Sequence, residues 1–422
     1  VFNTVAKRWA IACLLMLTAS MAVAVGPAKS SRFDPESGQV IDGLAGVSSD
    51  TQLSLVIPVF DPGLEGELPR KYRKDEKRGV VFNEVRRAEA NLLAIDLRDV
   101  FRESGLFEKV RVVPTDAAIG ELYLLGRILR STSEDLHLGV TLVDISQRNW
   151  LEKTYEVRVD DDDVSEAARL RKVDPYRALH EEIVADVAAA LAARKDDELR
   201  ELKGIADMVF AASYSEEAFG GYLGEREIKV RDEDGYVRRV TVTALRGRPA
   251  ANDPQYQRIQ AVRTREELFL DDLQQHYDEF AGRIEPAYQE WQTDAYPIAV
   301  EARETRAKST RKKVFAGLLA AAGVAVGSEA NELKTAALAG SGVLAYGAYR
   351  STREYKAISE SLSELGDSVD IQLAPTNVEF EGRTDTLQGD AARQYQQMRR
   401  FLYSVYTEEQ TPDVQLQVQP TP

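Results

Sequence analysis

Any chemistry in this chain would have to come from three histidines, one cysteine and a few carboxylate clusters. His137, His180 and His276 are far apart in sequence and read as structural or solvated side chains. Cys13 lies inside an apolar N-terminal run, so thiol and zinc chemistry have almost nothing to work with. Asp160 to Asp163 is a run of four carboxylates at a strand end. Clustered oxygens of this kind suit a hard cation such as calcium, but a solvated turn leading into Ser165 reads the same residues without an ion. Asp232, Asp234 and Gly235 look like part of a calcium loop, yet no glutamate closes it, and an Asp-Gly hairpin turn accounts for them. Ser341 stands between Gly340 and Gly342 in an apolar run expected to be helical, where its hydroxyl reads as bonding back to the backbone rather than as a nucleophile. The sequence holds no nucleophile elbow, Walker loop, dinucleotide fingerprint or HExxH motif. These residues predict a protein that is not an enzyme, with no catalytic, cofactor-binding or metal-binding set.

The elements that would position such residues belong to a large chain. Its 422 residues are enough for two or three domains. Apolar residues make up 44% and charged residues 29%, which excludes both a polytopic membrane protein and a wholly disordered one. Basic residues number 54 against 69 acidic, for a net charge of −15. With no compensating basic block, nucleic acid is excluded as a partner. Residues 1–24 read as a secretory signal peptide: Lys7 and Arg8 precede an apolar run, and Ala22-Val23-Ala24 offers the small-residue cleavage site. Export of a chain without further cysteine implies stability from packing rather than disulfides, with the periplasm as the expected compartment.

Residues 25–50 read as a linker and 51–200 as an α/β partner-binding domain. There LSLVIPVF is a buried strand, a helix of about 22 residues starts at Phe82 with Gly105 at its C-cap, and KVRVV is a second strand. ELYLLGRILR, LHLGVTLVDI and WLEKTYEVRV then form a meander, and Asp174-Pro175 opens a helix. Residues 201–256 contain a β-hairpin connector around Asp234-Gly235, and 257–366 form a helical region. Leu273, Tyr277, Phe280, Ile284 and Trp291 lie on one helix seam that must pack on another helix, in this chain or in a second one. Pro286 is expected to kink this helix, and Pro297 to break or restart it.

Two apolar runs, VFAGLLAAAGVAVG and TAALAGSGVLAYGAY, flank a polar turn within 314–349. Gly317, Ala321, Gly323, Gly327, Ala336, Gly340 and Gly347 supply small residues, most of them at four-residue spacing, which lets backbones approach closely. The segment resembles a glycine-zipper helical hairpin, a membrane or oligomer contact. Each arm, at roughly 22 Å, is shorter than a hydrocarbon core of about 30 Å. Two strands and a helix follow over 367–408, then a tail at 409–422.

The run LVIPVFD, the helix ending in FRESGLFEKVRVV, and the strands LYLLGRIL and VTLVDISQRNWLEKTYEV are similar to an envelope-domain family. It includes the TolB N-terminal domain, the curli-secretion lipoprotein and the lipoprotein activators of penicillin-binding proteins. Gly126-Arg127-Ile128, Val143-Asp144 and Trp150 carry the resemblance. Glu121 stands where the family has an aspartate, and the family's turn glycine is missing. The resemblance implies fold and compartment rather than chemistry. The expectation is an α+β protein of the cell envelope, an exported assembly or scaffolding factor. Alternatives are an oligomeric outer-membrane-associated pore or secretion component, and a regulator of peptidoglycan synthesis. Expected partners are envelope proteins, a second copy of the chain, and a membrane through 314–349, with outer-membrane association as an extension of the periplasmic location. No cofactor is expected.

Overall fold

The computed structural model describes residues 50–64, 66, 68–72, 82–160, 162–163, 174–231, 235–321, 349–350, 352–364 and 371–408, with the side chains of the long helix described to residue 304. The signal-type segment, most of the linker, most of the basic loop 70–78, Asp232, Asp234 and the tail 409–422 lie outside the described residues. So do Gly323, Gly327, Ala336, Gly340 and Gly347.

The chain is α+β. Strand β1 (Ser54–Pro58), helix α1 (Asn83–Ser104) and strand β2 (Lys109–Val113) form the opening unit. β1 runs parallel to both β2 and β3 (Leu122–Ser131), so the chain must cross over between parallel partners, and α1 supplies that crossover. β3, β4 (Asp135–Asp144) and β5 (Asn149–Arg158) continue as an antiparallel meander, giving a five-stranded sheet in the order β2-β1-β3-β4-β5. α1 buries Leu93, Leu97 and Phe101 in the core and ends at Gly105, whose φ of 65° is the left-handed closure its sequence predicts.

Helix α2 (Arg177–Ala192) starts two residues after Pro175. Asp174 still shapes the entry, because its Oδ1 accepts the Tyr176 N–H at 2.7 Å. Helix α3 (Asp196–Tyr214) is additional to the elements expected from the sequence; three acids in its first turn favour the positive end of the helix, and Leu199, Leu202, Ile205 and Phe210 face inward. A single turn, α4 (Glu216–Phe219), leads to the hairpin of β6 (Leu223–Arg231) and β7 (Val237–Leu245). This hairpin touches the sheet through the Thr243 N–H, which donates to the Ser146 carbonyl at 3.0 Å.

Helix α5 (Pro254–Ala321) runs 68 residues, about 100 Å. It carries Pro286 and Pro297 inside it without a break, which corrects the expectation that Pro297 ends or restarts it. Each proline removes one N–H and crowds one carbonyl, at about 3 kcal/mol. Burial on the same face on both sides of the prolines offsets this: Ile284, Tyr288 and Trp291 before Pro297, Ala295, Ala299 and Ala302 around and after it. α5 packs on α1, β2 and helix α6 (Arg353–Glu364) of the same chain. The final elements are β8 (Gln372–Phe380), β9 (Arg383–Asp390) and α7 (Ala391–Glu408). The two strands expected before α7 pair as one hairpin, and Glu381 and Gly382, with φ of 50° and 74°, make its tight turn.

Candidate functional site

The five seam residues named from the sequence are brought together, but as core. Leu273, Tyr277, Phe280, Ile284 and Trp291 are all buried against elements of the same chain. Phe82 meets the Trp291 ring edge-on at 6.0 Å, and Tyr288 stacks on it at 5.7 Å. Gly317 and Ala321 lie in the final turns of α5 as backbone. Among the described residues no helix is long and apolar enough to cross a membrane.

The candidate chemical residues that are described are occupied locally; Cys13, Ser165, Asp232, Asp234 and Ser341 lie outside the described residues. His137 Nδ1 lies 3.2 Å from the Tyr72 hydroxyl and 3.1 Å from Glu156, and His276 is 3.7 Å from Glu279. Burial lowers the His137 pKa, with Glu156 opposing. In the described part of the 160–163 run, Asp160 Oδ1 accepts the N–H groups of Asp162 and Asp163, a turn bonded to itself. Among the described residues no group of three or more side chains is arranged to hold a metal.

His180 is fully buried at the start of α2, its Nδ1 3.1 Å from Asp174 Oδ2. Burial pushes Asp174 up, but the hydrogen bond and charge of His180 outweigh it and hold the carboxyl below its usual value. Asp96 on α1 faces the same group. Desolvation raises it to about 7 despite the attraction of His180, and Asp174, Asp99 and Glu285 push it further up. Glu89, an acid fully buried in the core, accepts from Ser131 Oγ at 2.5 Å and Tyr288 OH at 3.0 Å, joining α1, β3 and α5. Desolvation raises its pKa against the pull of Arg86. Both clusters hold elements together inside the fold.

The arrangement best suited to binding sits where the β4–β5 turn meets α3 and the β6–β7 hairpin, and it is a cleft of about 190 Å³. Asp144, at the end of β4, builds its floor. Its Oδ1 accepts from Ser146 N at 2.8 Å, Ser146 Oγ at 2.6 Å and Arg148 N at 3.0 Å, and its Oδ2 accepts from Trp150 Nε1 at 2.7 Å. Burial raises the Asp144 pKa in spite of these donors. The turn so tied puts Gln147 in the left-handed region at φ 74° and fixes the indole of Trp150. The Arg194 guanidinium, from the α2–α3 turn, lies 4.6 Å from the centre of that indole.

Arg148 stands beside it, 3.8 Å from Glu198. Desolvation lowers the Arg194 pKa, and the like charge of Arg148 lowers it further, against Glu198 and Asp144. The Nε atoms of both arginines are shut off from solvent and have no acceptor. Across the cleft, Arg226 pairs with Glu201 at 3.1 Å, and Ile205, Ile228 and Val242 supply an apolar wall. The sequence signal for this site is slight: Asp144 and Trp150 stand out only through the family resemblance, and Arg148 and Arg194 belong to no motif. Comparison of the chain with protein-family models, with curated proteins and with solved structures finds no match.

Proposed function

We propose that the chain is an exported cell-envelope assembly or scaffolding protein, acting through protein contacts and through a membrane or self-contact of 314–349. The observation that carries this reading is α5. Its first fifty residues are built into the core of the sheet domain, and the same unbroken helix continues into the start of the small-residue run, at Gly317 and Ala321. A rigid rod that joins a folded domain to a close-packing segment suits a protein that holds partners at a set distance. The signal-type residues 1–24 and the resemblance of the sheet domain to envelope modules support the compartment. That the seam on α5 is consumed within the chain leaves 314–349 as the segment on which self-association would rest.

Fractionation of washed cells, with salt and carbonate extraction and sizing of the extracted protein, tests the proposal beside a variant lacking residues 314–349. The intact chain is expected in the envelope, either resisting carbonate or released as a particle of several copies, and the variant as a released single copy. Recovery of both as single copies from the cytoplasm would overturn it.

A further inference from the structure

We infer that the cleft at Trp150 is a binding site for a carboxylate carried on a short aliphatic stem, such as the C-terminal residue of a peptide. Four cations, Arg148, Arg194, Arg226 and Lys229, line it against the carboxylates of Asp144, Glu198 and Glu201. One positive charge is left over, which matches a monoanion and not a phosphate dianion. The acids are also committed. Asp144 is saturated by four donors from its own turn, and Glu201 is taken by Arg226. Arg194 lies over the indole, with no carboxylate of the described residues within ion-pair distance, and Arg148 has only the distant Glu198.

Two neighbouring guanidiniums that repel each other in a partly desolvated place gain from an anion between them, and Arg presents its donors as a fork matched to a carboxylate. The opposite wall carries Leu202, Ile205 and Ile228 among the side chains of Arg226, Glu201 and Lys229, so the cleft offers hydrocarbon beside charge. A volume of about 190 Å³ holds a group the size of one amino-acid residue. Sheet, α2–α3 turn and hairpin all contribute, and Asp144 pre-orders the Trp150 platform before any ligand arrives, so little ordering cost falls on binding.

The test titrates the full chain with acetyl-alanyl-leucine bearing a free carboxylate, with its C-terminal amide, and with inorganic phosphate. Heat of binding and tryptophan emission are read together, with Trp291→Phe used to leave Trp150 as the emitter of the folded domain. The free acid is expected to bind saturably and to change the Trp150 signal, and the amide to bind at least about tenfold more weakly, the loss of one charge-assisted contact. Arg194→Gln and Arg148→Gln, each checked for an unchanged melting temperature, are expected to weaken the acid by about tenfold apiece. Equal binding of acid and amide, phosphate binding tighter than the acid, or no saturation by about 10 mM would overturn the assignment. So would full affinity in a folded Arg148→Gln, Arg194→Gln double variant.

Discussion

The two edge strands of the sheet are finished in opposite ways. β2 is closed by a helix: Gln274 of α5 accepts from the Val112 N–H at 3.0 Å and donates to the Val112 carbonyl at 2.8 Å, as a neighbouring strand would. Ion pairs flank this contact, Lys109 with Glu267 at 2.7 Å and Arg111 with Asp271 at 2.6 Å. β5 is the other end of the sheet, and it is guarded by charge. Glu152, Lys153 and Glu156 are exposed along it, and Lys153 reaches Glu182 and Asp186 of α2 at 2.9 and 2.7 Å. Unpaired strand edges invite association with other chains, and both a covering helix and edge charges discourage it. The covered edge belongs to the rod that joins the domain to 314–349. The charged edge lies next to the Trp150 cleft, so the open side of the sheet is the side with a ligand site.

The contrast is broken most severely at the seam that holds the covering helix. Trp291→Ala removes a buried indole that touches Phe82 and Tyr288, and a loss of about 3–5 kcal/mol is expected in denaturant unfolding. Gln274→Ala strikes the closure itself, leaving the Val112 N–H and carbonyl buried without partners. About 2–3 kcal/mol should be lost, with β2 becoming the first strand to exchange its amides.

The junction of α1 with α2 gives a test with a sign. The Asp96 carboxyl titrates near 7 when folded, against a usual 3.8, so the folded state holds the extra proton between those values. Stability from this group is therefore present at pH 4 and lost as pH rises through 7. Asp96 keeps some solvent exposure, which reduces the effect. Asp96→Asn is expected to be about 2 kcal/mol more stable than the parent at pH 8, with no such advantage at pH 4, in parallel urea titrations. On the open side, Gln147→Gly relieves a left-handed non-glycine residue and should raise stability by about 1 kcal/mol, seen as a higher melting temperature.

Much of the sheet domain was legible. β1, α1 and β2 announce themselves through an apolar run, a helical face and a glycine cap, because these are local effects of burial and backbone geometry. Helix α3 is hard to read from the sequence although Leu199, Leu202 and Ile205 repeat every three residues, since acids crowd its first turn and no cap separates it cleanly from α2. The continuity of α5 was not legible at all: proline's cost is local, whereas the burial that offsets it comes from α1 and α6, far off in sequence. The cleft was hidden for the same reason. Trp150, Arg194, Arg226 and Val242 meet only because the hairpin folds back onto the β4–β5 turn, and mixed charges at such separations make no motif.

Gln274 and its flanking ion pairs tie α5 to the sheet at the β2 edge, and the two are expected to open as one body. Native-state hydrogen exchange of the full chain measures this directly. Amides of β1, β2 and residues 259–302 of α5 are expected to open together at the free energy of global unfolding, and Gln274→Ala is expected to lower β2 and this part of α5 in step. Fast exchange along residues 259–302 while β1 and β2 stay protected would contradict the account, because the rod would then be a separate helix resting on the domain.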